Sequence, residues 1–91
     1  MGFEWDESKD RQNVARHGID FEDASTLLGR VGVTRRSDRG GEHRWTFTGE
    51  RQGKLWTVIY TKREDNTRII STRRARKNEE REYHQEILRG D

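Results

Sequence analysis

The sequence predicts an α+β domain, with two helices first, then a four-stranded, mainly antiparallel sheet, then a closing helix. Three observations predict it: capping signals bracket two short segments before residue 30, period-two alternation runs from Val31 to Thr72, and Glu-rich helical spacing returns after Arg76. At 91 residues, length allows one domain over 1–91 and one thin core. Only sixteen residues are Leu, Ile, Val or Phe, but the net charge of +2 and three Trp favour a folded chain over a disordered one.

Phe3-Glu4-Trp5 alternates but is short, so it is at most an edge strand. Asp6 offers an N-cap carboxylate to a helix over about Glu7–His17, and Gly18 stands where a left-handed C′ residue ends one. Asp20 caps a second helix, about Phe21–Leu28, which Gly29 is expected to stop in the same way. Val31 and Val33 open the strands, Arg39-Gly40-Gly41-Glu42 is a loop, and Trp45 and Phe47 alternate with threonines. Lys54–Thr61 is the strongest strand and the predicted centre of the sheet, with Trp56, Val58 and Tyr60 on one face and Leu55, Thr57 and Ile59 on the other. Gln52-Gly53 turns into it, Glu64-Asp65-Asn66 turns out of it, and Thr67–Thr72 returns Ile69 and Ile70 to the sheet. A helix from about Lys77 to Leu88 has a narrow apolar stripe of Tyr83, Ile87 and Leu88.

Composition excludes several classes. With no Cys and no paired His spacing, neither a disulfide framework nor a zinc site is expected, and no metal or other cofactor is expected at all. Glycine-rich nucleotide loops and a GxSxG elbow are missing. No stretch is apolar enough to cross a membrane and no leader is evident, so a cytoplasmic protein is expected. A helix-turn-helix reading of the first two helices fails on charge, because Asp20, Glu22 and Asp23 crowd the would-be recognition helix.

Charge is unevenly laid. Residues 1–29 carry three basic and seven acidic groups, whereas Arg68, Arg73, Arg74, Arg76 and Lys77 form a run without an acid, and Arg35, Arg36 and Arg39 form a second cluster. Such density suits phosphate. RNA can be cleaved by attack of its own 2′-OH if cations stabilise the charge gathering on phosphorus, and arginine does this with fixed paired donors. Arg68 and Arg73, on one strand, suit that role. Proton transfer has three candidates: His17, whose ordinary pKa fits, Glu79, if burial raises it, and Tyr83, one helical turn beyond Glu79. Each also has a structural role open to it, His17 in capping the last helical turn and Tyr83 in anchoring the core; Lys9 equally suits a surface helix.

The ordered blocks Phe3-x-Trp5-Asp6-x-x-Lys9-x-x-x-Asn13-x-x-x-His17-Gly18-Ile19-x-Phe21-Glu22-x-Ala24, Glu42-x-Arg44-Trp45 with Gly49, Tyr60-Thr61-x-Arg63, and Arg68-Ile69-Ile70-Ser71-x-Arg73-x-Ala75 with Glu79 and Tyr83 resemble the BrnT-type toxins of bacterial type II toxin–antitoxin pairs. The resemblance implies a RelE-like compact fold, metal-independent endoribonuclease activity that inhibits translation and growth, and neutralisation by a BrnA-like ribbon-helix-helix antitoxin in a hetero-oligomer. It implies contact with operator DNA only through that antitoxin. Carried over position by position, it marks Arg68, Arg73, Glu79, Tyr83, His17 and Lys9 as catalytic candidates; the surrounding cations Arg74, Arg76, Lys77, Arg63 and Arg44 are the expected RNA contacts. The chain departs from the family pattern at Arg76, where a small polar cap is usual, and at Glu80, where a basic residue is usual. A non-catalytic RNA-binding module and a degenerate toxin serving as a corepressor subunit are the alternatives.

Overall fold

A computed structural model describes residues 2–88. Strand β1 (Gly2–Glu4) leads into helices α1 (Glu7–His17) and α2 (Phe21–Leu27). Strands β2 (Gly32–Arg36), β3 (Arg44–Arg51), β4 (Lys54–Arg63) and β5 (Asn66–Arg74) follow, then α3 (Lys77–Tyr83) and a π-helical turn, His84–Leu88. The sheet has five strands rather than four, in the order β1-β5-β4-β3-β2, with β4 at its centre as the alternation predicts. The difference lies at β1, which pairs parallel to β5 through Gly2–Asn66, Phe3–Thr67 and Glu4–Arg68. Three residues are too few for a periodicity to declare a partner 64 positions away.

The caps form largely where the sequence places them. Asp6 accepts the N–H groups of Ser8 and Lys9, Asp20 accepts that of Asp23, and Gly18 ends α1 at φ 78°. Gly29 does not repeat Gly18's role, because α2 ends on Leu28 in right-handed geometry. The long final helix also divides: α3 stops at Tyr83 and the chain widens into the π-helical turn. Two tight hairpins suit the twist of the strands. Gln52-Gly53 joins β3 to β4 with φ of 54° and 79°, and Gly40-Gly41 closes the Arg39–Glu42 bridge with φ of 58° and 79°.

Helices α1 and α2 sit over one face of the sheet, where Ile19, Phe21, Ala24 and Leu27 pack against Phe47, Trp56, Val58 and Ile69. Helix α3 lies on the other, reached from the sheet by Thr57, Arg73 and Arg35.

Two features of β5 position everything that follows. Thr61 pairs with Arg68 and Tyr60 with Ile69, but Ile59 pairs with Ser71, so Ile70 is bulged out of the ladder. An odd separation puts Arg68 and Arg73 on opposite faces of a regular strand. The extra residue restores parity, and Arg68, Ser71 and Arg73 share the face of Thr61, Ile59 and Thr57. Just beyond the bulge, where β1 no longer covers the edge, the buried side chain of Asn13 takes a strand's place. Its Nδ2 donates to the carbonyls of Thr72 (2.9 Å) and Ile19 (3.0 Å), and its Oδ1 accepts the N–H of Thr72 (3.1 Å).

Asn13→Ala strands those three buried backbone groups, each worth about 1–3 kcal/mol when unsatisfied. We expect a loss of about 3 kcal/mol, read as a drop of ~15 °C in Tm for a chain of this size. A variant melting within a few degrees of wild type shows that the clamp is not structural.

Candidate functional site

The face shared by Arg68, Ser71 and Arg73 is only partly roofed by α3. The uncovered part is a groove of about 250 Å³, walled by Arg39, Arg44, Arg73 and Arg76 and floored by Thr46, Ile59 and Ser71. Period-two alternation aims these residues at one side, since Thr46 lies opposite Ile59 and Ile59 opposite Ser71.

Arg73 is the fixed point of the groove. Its Nη1 and Nη2 donate to Oε1 and Oε2 of Glu79 at 2.8 and 3.0 Å, a two-point ion pair with both side chains largely buried. Glu79 Oε1 also accepts the Thr57 hydroxyl (3.0 Å) and the Arg76 N–H (2.8 Å). That last bond caps α3 from within. Arg76, the departure from a small polar cap, is a donor-only side chain and gives no reciprocal bond.

Glu79 therefore behaves opposite to the expectation that burial raises it. Burial does push its carboxyl up, but Arg73, the Arg76 N–H and Thr57 outweigh that and hold it at about 2. Near neutral pH it is an ionised strut for Arg73, too weak a base and too strong an acid for proton transfer.

The other sequence candidates are dispersed. Arg68 shares the face but lies toward the β4–β5 hairpin, where its Nη1 donates to Glu4 at 2.9 Å; Asn66 and Arg68 together lower the Glu4 carboxyl. Tyr83 is 6% exposed and sits beside Gly29, Arg30, Val31 and Glu50, anchoring α3 away from the groove. Lys9 and His17 line a separate hollow between α1 and β5. Among the expected RNA contacts, Arg44 and Arg76 enter the groove and Lys77 is exposed at the start of α3. Arg74, one residue out of phase with Arg73, turns to the helix-covered face and stacks on Trp56 at 5.5 Å. Arg63 stands exposed at the far end of β4.

Sequence reasoning assigns no role to Asn13, Ser71 or Thr57. A polar residue in the middle of a helix between Asp6 and Gly18 is a usable signal for Asn13; nothing local marks the other two. No group of three or more metal-ligating side chains occurs among the described residues, and no described helix is long and apolar enough to cross a membrane.

A guanidinium held by a buried carboxylate, in a cationic groove across a sheet, is an arrangement chemically able to receive a phosphate oxyanion. The chain belongs to the BrnT family, the ribonuclease toxins of type II toxin–antitoxin systems, whose model matches residues 5–79. Among solved structures it is similar to the 1.1 Å crystal structure of the Brucella abortus ribonuclease toxin BrnT, with 28% identity, a TM-score of 0.64, and coverage of 85% of this chain and 99% of that one. No curated protein matches it significantly by sequence. Family membership brings an RNA substrate and an antitoxin partner into view for a chain of this kind.

The Glu79 pair has a pH signature. Its folded pKa lies below its unfolded one, so the stabilisation is complete above about pH 4.5, the ordinary value, and is lost as pH falls toward about 2. We expect wild type to exceed Glu79→Gln in stability at pH 6 and the two urea midpoints to converge by about pH 2. Parallel curves over that range disprove the assignment.

Proposed function

We propose that this protein is the toxin of a type II pair, a RelE-like, metal-independent endoribonuclease that stops growth by cleaving RNA, and that its catalytic groove is the one around Arg73. Arg73 carries this reading, because its guanidinium is aimed and immobilised before any substrate arrives. In the proposed reaction the ribose 2′-OH gives its proton to solvent water and its oxygen bonds to the adjacent phosphorus, the bond to the 5′-oxygen breaks with that oxygen taking a proton from solvent, and the products end in a 2′,3′-cyclic phosphate and a 5′-OH. Arg73 stabilises the charge on the phosphoryl oxygens, and Arg39, Arg44 and Arg76 hold the flanking phosphates. Glu79 orients Arg73 and takes no proton. Guanidinium groups stand here where a two-metal nuclease presents carboxylates, which favours a metal-independent route.

Arg68 supports the strand end through Glu4, and Tyr83 positions α3. The family resemblance adds neutralisation by a BrnA-like ribbon-helix-helix antitoxin, contact with operator DNA through that partner, and action in the cytoplasm.

Expression of the chain alone is expected to arrest growth with fragmented RNA, and purified protein to leave 2′,3′-cyclic ends in the presence of chelator. Arg73→Ala lowers the cleavage rate by about 10²–10³-fold, the usual cost of losing one transition-state donor. Arg73→Lys, which keeps a charge opposite Glu79 and so guards against misfolding, gives an intermediate rate. Full activity in a folded Arg73→Ala protein removes the site assignment, and intact RNA with normal growth from soluble wild type removes the nuclease.

A further inference from the structure

The hollow between α1 and β5 is small, about 140 Å³, and lies against the groove. Both are lined by Ile70 and Ser71, so the bulge forms the ridge between them. On the α1 side the lining is Lys9, Gln12, Asn13, Arg16 and His17, one helical stripe at spacings of three and four. Because Asn13 is clamped to Thr72, its stripe neighbours Lys9, Gln12 and Arg16 are carried to the β5 edge.

The electrostatics of this hollow are one-sided. No acid lines it, and neither Lys9 nor Arg16 forms an ion pair among the described residues. The nearby carboxylates are engaged elsewhere: Asp6 caps α1 and Asp10 accepts the N–H of Phe21 at 2.8 Å. Arg44, Arg73 and Arg36 all have a carboxylate within hydrogen-bond distance, whereas Lys9 and Arg16 have none among the described residues, Asp6 acting on Lys9 only from a longer range. Such a volume lies below the roughly 300 Å³ at which pockets begin to enclose drug-sized molecules, and it suits one phosphate group with the amide donor of Gln12 at its side, the Ser71 hydroxyl already donating to Asn13 Oδ1 at 3.4 Å.

We propose that this hollow is a second phosphate subsite, in which Lys9 and Arg16 grip the RNA strand on the other side of the Ile70 ridge from Arg73. The strand crosses the Ile70–Ser71 ridge of β5, with one phosphate in the groove and a neighbouring one in the hollow. Lys9 and Arg16 thereby serve as grips for the substrate. The polymer's identity rests on the ribonuclease reading above; the anion site rests on the charges and the shared ridge.

The test uses 2′-O-methyl RNA, which cannot be cleaved by 2′-OH attack, so binding is measured apart from chemistry. Affinity is followed across a salt series for wild type, Lys9→Ala/Arg16→Ala, and Arg11→Ala, an exposed α1 cation that does not line the hollow. Each lost phosphate contact removes about 0.7 from the slope of log affinity against log salt on single strands, so the double variant should lose up to about 1.4 while Arg11→Ala keeps the wild-type slope. Gln12→Glu, which places a carboxylate in the hollow, should weaken binding without deleting a cation. An unchanged slope in the folded double variant overturns the proposal and leaves the groove untouched. Absence of salt-sensitive RNA binding by wild type overturns the ribonuclease reading as well. If inorganic phosphate titrates into the hollow, seen at the His17 and Gln12 NMR signals, while the double variant keeps its RNA slope, the site serves a free phosphorylated molecule and the RNA assignment fails.

Discussion

Asn13 supplies β5 with what a neighbouring strand supplies, one acceptor for the Thr72 N–H and one donor for its carbonyl. A sheet edge left bare under a helix costs unsatisfied backbone groups, and a full-length β1 would satisfy them only by covering the bulge. A single amide covers the edge without covering the ridge. The same side chain ties down Ile19, where α1 turns toward α2, so the packing of both helices and the register of β5 share one buried group. Ile70 can bulge because the ladder is held on either side of it, by β1 at Arg68 and by Asn13 at Thr72.

The cations on that surface are not equivalent. Arg73 has surrendered mobility to Glu79, and Glu79 in turn holds Thr57 and the first turn of α3. Rotating this guanidinium out of place would disturb helix, strand and carboxylate together, which is the preorganisation that charge stabilisation requires. Arg35 acts differently. It straps Glu82 and Glu86 to β2 in solvent, where an ion pair contributes little to stability and serves mainly to orient α3 and the π-helical turn.

Much of the fold is legible in the sequence where the controlling interaction is local. Asp6, Asp20 and Gly18 act within a turn of their own residue, and the alternation of Lys54–Thr61 directly states two faces. The rest depends on contacts that local patterns do not encode. Ile69-Ile70 reads as ordinary strand, so the bulge, and with it the shared face of Arg68 and Arg73, is invisible there. Arg73 and Arg74 look alike in a basic run, yet one belongs to the groove and the other stacks on Trp56. The depressed state of Glu79 follows only once Arg73 is known to face it across the strand-to-helix turn. Helical spacing puts Tyr83 on the face of Glu79, but one turn further along α3, where it meets Gly29, Arg30, Val31 and Glu50 rather than the groove.

The topology also orders events in time. Strands β2 to β5 form a meander of neighbours, whereas the amide of Asn13 must meet a residue 59 positions later. During synthesis the first two helices leave the ribosome long before the edge they serve exists, and near-neighbour hairpins close sooner than distant contacts. The ridge, the clamp and the strut on Arg73 are therefore completed only after β5 and the first turn of α3 have emerged. A chain released before β5 and the first turn of α3 are made would carry neither the ridge, nor the clamp, nor the strut.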